Sequence, residues 1–232
     1  MRDKEISKIF ETAKADGRDF LYEHEAKNLF AIYDMPVTKI HVAETEDEAV
    51  EAAEKIGYPI VLKIVSPQIL HKSDAGGVIV GVEDEQGIRD GFNKIIENAK
   101  NYKEDAEITG ILVQEMAPKG TEIIIGSTTD PTFGPTLMFG LGGIFVEILK
   151  DVSFRVAPIA KEDAKEMIKE IKAYKILEGA RGNPPVDQET LADILLKTSD
   201  MLMDCPEIKE LDMNPILAYP EGARIVDARI IM

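Results

Sequence analysis

The chain contains no tryptophan, one cysteine and three histidines. A single thiol excludes an intrachain disulfide and fits a reducing, cytoplasmic compartment. No apolar run approaches the roughly 20 residues that span a bilayer, so no membrane segment is expected. The opening residues, MRDKEISKIF, lack the apolar stretch of a secretory signal. Positive charge is scarce: 27 Lys and Arg stand against 43 Asp and Glu, a net charge of −16. That argues against nucleic-acid binding through a broad basic surface. It does not exclude a nucleotide, because a few local lysines and Mg²⁺ can offset the field. Also missing are a His/Cys pair at zinc spacing, a short-period repeat, and the Gly-Lys-Ser/Thr end of a P-loop. No strand-to-helix turn carries a dinucleotide fingerprint.

What is present is a globular composition, 44% hydrophobic and 30% charged over 232 residues. That is enough for one large domain or two small ones. Helical spacing of apolar residues predicts helices over 4–15, 22–33, 84–103, 161–173 and 187–204. Thr45 followed by Glu48 is a capping-box signature, and Gly57 is the expected stop of the helix between. Strands are expected at 36–40, 59–65, 78–82, 110–115, 121–127 and 135–150, and at 207–213, 216–219 and 224–230. The texture changes after Met116. The expected division is an N-terminal helix (1–20), a first mixed α+β unit (21–115) and a second (116–232). A ligand commonly binds between two such units.

Four groups of residues point to chemistry. The first is His71-Lys72-Ser73-Asp74-Ala75-Gly76-Gly77, set between two strands. Paired glycines let backbone approach a ligand, and Lys72 and Ser73 suit a phosphate. His71 can then serve as nucleophile as well as base. The second is Lys63, inside the apolar run PIVLKIV. It is either an edge lysine snorkelling to water or a cation aimed at a phosphate that offsets its burial. The third is Gln114-Glu115-Met116 at a strand end, whose backbone groups suit an adenine edge. Glu122 at the next strand could accept from a ribose or simply face water. Phe139-Gly140-Leu141-Gly142-Gly143 reads as a glycine-rich turn that could approach a phosphate or a partner chain.

The fourth is Glu210-Leu211-Asp212-Met213-Asn214-Pro215. Asp212 and Asn214 share a face of a strand, and Pro215 is expected to limit further pairing. Asp227 interrupts the apolar run RIVDARI, where a carboxylate is costly unless paired or bound to metal. A hairpin at 220–222 would bring Asp227 near Asn214, in a register the prolines obscure. If they share a side, they offer oxygen ligands for Mg²⁺; otherwise they are a hydrogen-bonded hairpin. His24 reads as solvated or capping, His41 has no visible partner, and Cys205 reads as an inert packed thiol.

In order, GYPIVLKIVSP, HKSDAGGV, GILVQEM, GTEIIIG, FGLGG and ELDMNP resemble the ATP-grasp fold, and more closely the β subunit of ADP-forming acetyl-CoA synthetases. The resemblance runs from Glu23 to Asp227. It implies an α/β fold of two subdomains with a nucleotide between them. It also implies the reaction acyl-CoA + ADP + phosphate ⇌ carboxylate + ATP + CoA. On that pattern His71 carries a phosphoryl group from the α subunit to ADP, and Asp212 orients an imidazole. Lys63 meets the α/β-phosphates, Gln114 to Met116 the adenine, and Glu122 the nucleotide. Lys72, Ser73, Gly76 and Gly77 line the phosphate loop, which would swing between sites. Asn214 and Asp227 match Mg²⁺ ligands. The implied partner is an α subunit carrying the CoA-binding domain, in an α2β2 assembly. Competing readings are a succinyl- or citrate-directed ligase subunit, the detached domain of a fused synthetase, and a non-catalytic ATP-binding regulatory module. Chain length favours a separate subunit over the detached domain, and the regulatory module would need neither His71 nor Asp212.

Overall fold

The computed structural model describes residues 2–143, 146, 150–180, 182 and 184–232. The chain forms two units, Met1–Val37 with Pro118–Met232, and Thr38–Ala117. It opens in the larger unit with α1 (Arg2–Ala15), β1 (Phe20–Leu21) and α2 (Glu23–Ile32).

The smaller unit follows: β2 (Ile40–Ala43), α3 (Glu46–Ile56), β3 (Ile60–Val65), β4 (Val78–Val82), α4 (Glu85–Tyr102) and β5 (Gly110–Glu115). Its sheet has the order β2-β5-β3-β4, every pair antiparallel. β3 and β5 are interior strands, which is why both read as apolar runs rather than alternating ones. The stripes Ala49, Val50, Ala53 of α3 and Ile88, Phe92, Ile95, Ala99 of α4 join one buried cluster with Ile60, Leu62, Ile64, Ile111 and Val113. α3 starts where Thr45 Oγ1 accepts from the Glu48 N–H, while Glu48 reaches back to the Glu44 amide. Gly57, at φ 99°, ends it. The strand expected over 36–40 instead begins at Ile40, where pairing to β5 starts. Val37 forms a bridge to Ile225 in the larger unit.

The larger unit resumes with β6 (Thr121–Asp130), β7 (Gly134–Leu141), β8 (Val152–Val156), α5 (Lys161–Glu170), a 3-10 turn (Lys172–Ile176) and α6 (Gln188–Asp204). It closes with β9 (Glu210–Ala218), β10 (Ala223–Ile225) and β11 (Arg229–Ile231). The antiparallel sheet runs β1-β11-β9-β6-β7-β8, with β10 also on β9. One face carries Ile123, Ile125, Leu137, Phe139, Leu211, Met213 and Ile230, buried with Phe10, Phe30, Met167, Leu191 and Leu195 of α1, α2, α5 and α6. Alternation along the strands turns Gly126, Thr136, Met138, Asp212 and Arg229 to the opposite face. No helix among the described residues is long and apolar enough to cross a membrane.

Several further expectations need correction. Residues 21–37 were grouped with the segment that follows them, but they belong to the larger unit: Leu21 pairs with Ile230 and is buried in its core. The stretch 207–219 is not two strands broken at Pro215. β9 is continuous, and opposite β6 the two residues Asn214 and Pro215 face the single residue Ile124, between the pairs Ile123–Ile216 and Ile125–Met213. That is a β-bulge, a position where a residue without an N–H is tolerated. β8 was not anticipated, and the strand expected over 135–150 ends at Leu141; residues 144, 145 and 147–149 lie outside the described ones. The helix expected to 173 gives way to the 3-10 turn after Glu170.

Candidate active-site residues

The structure removes one of the two readings of Lys63, the edge lysine. β3 is interior rather than an edge, and Lys63 is only 6% exposed, so it does not snorkel to bulk water. It lies on the sheet face away from the helices, opposite Leu112 on one side and Val78 on the other. Gln114, opposite Val61, shares that face and is fully buried. Glu115 points the other way along β5 and is used structurally. Its carboxylate accepts from the Lys39 N–H at 3.0 Å, and its own N–H donates to the Lys39 carbonyl at 2.9 Å. The Met116 N–H donates to the Pro59 carbonyl. The donors of Glu115 and Met116 are thus committed within the unit, contrary to the free strand end the sequence suggested. The Met116 side chain is 36% exposed.

The loop after β3 is pinned at two points. Ile69 and Ala75 are buried in the core of the smaller unit, and His71, between them, is exposed. The Gly77 N–H donates to the Lys72 carbonyl at 2.8 Å and the Gly76 N–H to the Ser73 carbonyl at 3.0 Å, forming a tight turn. Asn98 of α4 donates to the Gly76 carbonyl at 2.9 Å. The glycine pair therefore has a reason other than approach to a ligand. Gly76 sits at φ 59°, and a Cβ on Gly77 would lie 2.5 Å from Ile64 Cγ2. Only hydrogen fits against β3 there. Ser73 is exposed and Lys72 half-buried on the same turn.

In the larger unit the register hidden by the prolines is now explicit. Asp212 pairs with Arg229 and Ile216 with Ile225, with equal numbers of residues between, so Asn214 stands opposite Asp227. The Val226 N–H donates to the Pro215 carbonyl at 3.0 Å, holding that register. Asp212 and Asn214 share a face. Burial pushes the Asp212 carboxyl above its ordinary range, the nearby Asp227 charge adds to this, and Arg229 offsets part of it. Gly126 lies across from Asp212, so only backbone flanks the acid on that side. Gly126, Thr128, Thr136, Asp212 and Arg229 border an open depression of about 330 Å³. Two acids this close form a site that a cation would relieve. Among the described residues no three His, Cys, Asp or Glu side chains converge as a metal cage. Asn214 and Asp227 carry hard oxygens of the kind Mg²⁺ accepts, an ion that can take one or two protein oxygens and complete its shell from phosphate and water.

The FGLGG run differs from expectation. Phe139 to Leu141 lie inside β7, and a Cβ on Gly140 would meet the Asp151 carbonyl at 2.9 Å, so that glycine serves strand packing. Gly142 donates to the Glu122 carbonyl, and Gly142 and Gly143 rest against the exposed Glu122. Of the remaining histidines, His24 stacks on Tyr22 and His41 is exposed on β2. Cys205 is buried 3.7 Å from the Tyr33 hydroxyl, and burial raises its thiol, as expected of an inert packed residue. Sequence reasoning missed Arg229, two residues past Asp227, and the buried Glu23–Lys27 pair of α2. The signal for the pair was there: an i,i+4 Glu/Lys couple on the stripe of Ala26 and Phe30.

The chain is thus a mixed α/β protein of two sheets, one with a buried lysine on its helix-free face and one with an Asp/Asn/Asp group on its open face. The family model described as an ATP-grasp domain matches residues 12–232. The chain is 57% identical over 224 residues to the acetate–CoA ligase [ADP-forming] I subunit beta of Pyrococcus furiosus, covering 97% of this chain and 96% of that one. Two solved structures of the dinucleotide-forming acetyl-coenzyme A synthetase 1 of Ca. Korarchaeum cryptofilum each cover 97% of this chain and 98% of theirs. One, with coenzyme A, acetyl-coenzyme A and a phosphorylated phosphohistidine segment in the site I orientation, is 52% identical with a TM-score of 0.91. The other, a selenomethionine derivative with coenzyme A and Mg-AMPPCP, has that segment pointing towards the nucleotide binding site, at 50% identity and a TM-score of 0.87. The chain belongs to the ATP-grasp family and, within it, to the β subunits of ADP-forming acetate–CoA ligases.

Proposed function

We propose that this chain is the nucleotide-handling β subunit of an ADP-forming acyl-CoA ligase, acetate being the acid the relatives' names indicate, and that His71 is its phosphoryl carrier. The observation that carries the reading is His71 itself: it is exposed, between two buried anchors, on the loop adjoining the strand that holds Lys63. In the direction of ATP synthesis, a phosphoryl group on His71 is attacked by the terminal oxygen of ADP. The N–P bond breaks as the O–P bond forms, its electron pair returns to the ring nitrogen, and the imidazole, still carrying the proton on its other nitrogen, leaves neutral. Lys63 offsets the charge on the α/β-phosphates, and the turn of Lys72, Ser73, Gly76 and Gly77 presents the carrier. Mg²⁺, when bound by Asn214 and Asp227, neutralises phosphate oxygens. Asp212 holds an imidazole N–H and stabilises its cationic form. Gln114 and Met116 meet the adenine with side chain and carbonyl, and Glu122 meets the ribose. Glu115, tied to Lys39, shapes this strand end rather than touching the base.

The relative's segment in two orientations supports a His71 loop that travels between an α-subunit site and the nucleotide. The subunit name implies an α partner, and we assign an α2β2 assembly in the cytoplasm. A succinyl- or citrate-directed subunit is not favoured, because the high-identity relatives are acetate ligases. A regulatory module would need neither His71 nor Asp212. The test is incubation with γ-labelled ATP and Mg²⁺. An acid-labile, base-stable phosphoprotein is expected for wild type and none for His71→Ala; equal labelling of both would remove the relay.

A further inference from the structure

α2 carries a pair of charges where an amphipathic helix should be apolar. Lys27 is fully buried, in the same helix turn as the core residues Ala26 and Phe30. Its Nζ lies 2.9 Å from Glu23 Oε1, whose side chain is 2% exposed. The same Nζ donates to the Val226 carbonyl at 2.7 Å, across 199 residues of sequence. Val226 is the residue before Asp227, and that carbonyl belongs to the peptide whose nitrogen is Asp227's own. The other side of Val226 is also tied, its N–H to the carbonyl of Pro215, the residue after Asn214. Val226 is thus tied on both sides, next to Asp227 in the chain and bonded to Pro215, the neighbour of Asn214.

A buried ion pair is not, as a rule, the most stable way to fill a core position. Replacing a buried ion pair by apolar residues of similar volume is often neutral or stabilising, by about 1–4 kcal/mol. An apolar residue at position 27 would fill the same space in the core, but it could not hold the Val226 carbonyl. We infer that Lys27, oriented by Glu23, is a positioning residue for the metal site: it fixes the 226–227 peptide so that Asp227 stays opposite Asn214. Lys27 touches neither nucleotide nor metal. It acts on the second ligand as outer partners of metal ligands do, where loss typically costs ten- to a hundredfold in affinity. The inference rests on the reading of Asn214 and Asp227 as the Mg²⁺ ligands.

The test measures binding of Mn²⁺, as a paramagnetic probe for Mg²⁺, to the chain in the presence of ADP by electron paramagnetic resonance. The double variant Glu23→Leu with Lys27→Met should keep its melting temperature near that of wild type. Its Mn²⁺ dissociation constant should rise about tenfold. A fall in melting temperature with unchanged Mn²⁺ affinity would make the pair merely structural and overturn the inference, as would no change in either. If the double variant does not fold, Glu23→Gln decides. It keeps Lys27 and the volume but loosens its hold, and a weaker Mn²⁺ site supports the inference while an unaltered one overturns it. Asp227→Ala is the control that separates the two claims. Undiminished Mn²⁺ binding in that variant removes the metal-site reading itself. Lost binding there, with wild-type binding in the pair variants, removes the positioning role alone.

Discussion

The loop over 66–77 and the strand β9 put chemistry on two kinds of support. The loop is fastened by two apolar anchors, one glycine turn and one asparagine, and the residue meant to react stands outside them. β9 is paired with strands on both sides, and its acid and amide are fixed by register and by a bulge. On the proposed function, the group that travels sits where few contacts break when it moves. The groups proposed to hold a cation sit where many contacts would break.

Substitutions can break this contrast. The largest effect is expected at His71: His71→Ala should reduce acyl-CoA-dependent ATP formation to background while Mg-ADP binding, measured by calorimetry, stays at the wild-type value. Loss of binding as well would place His71 in the nucleotide site rather than on a carrier. Next comes Asp227→Ala, which should weaken divalent-cation binding at least about tenfold, since a direct ligand should matter no less than its outer partners.

The anchor of the loop gives a smaller effect, on stability. Gly77→Ala forces a Cβ to within 2.5 Å of Ile64 Cγ2 and 3.0 Å of the Lys72 carbonyl. Overpacking of this kind costs about 1–3 kcal/mol, readable in urea unfolding. Gly76→Ala meets mainly the movable end of Asn98, though at a strained φ of 59°, and should cost less. A free-hinge role for the glycines would predict the reverse: little change in stability and slower turnover in both.

The smallest effect lies behind the acid face. Asp187 caps α6: its carboxylate accepts from the Thr190 N–H and hydroxyl and from the Gly222 N–H in the β9–β10 turn. The Thr190 amide and hydroxyl, then the Gly222 amide, hold this carboxyl below its usual range. A depressed carboxyl gives stability that is present above its unfolded value and lost as pH falls through the folded one. Asp187→Ala should therefore cost about 1 kcal/mol at neutral pH. The gap from wild type should close in acid, below the ordinary carboxylate range.

Much of the smaller unit was legible because its signals are local. The Thr45 cap, the Gly57 stop and the apolar runs of β3 and β5 all follow from neighbours in sequence. The larger unit hid more, because its decisive contacts are distant. Leu21 belongs with Ile230 rather than with the helix that follows Val37. Pro215 looked like a strand end because a missing N–H normally breaks a ladder, and only the sheet shows the bulge that absorbs it. The candidate groups were visible as residue types, but their spatial arrangement was not. Asn214 and Asp227 needed the register, and Lys63 needed the strand order to exclude an edge position. Glu115 and the FGLGG glycines take part in pairing and packing, which composition cannot separate from ligand contact.

The central claim is that His71 holds a phosphoryl group on its way to ADP. The direct measurement is a chase: the chain is phosphorylated with γ-labelled ATP, freed of nucleotide, and mixed with unlabelled ADP and Mg²⁺. The account predicts that label leaves the protein and appears in ATP, and that His71→Ala never acquires it. Label that stays on the protein through the chase, or that maps to a residue other than His71, would contradict it.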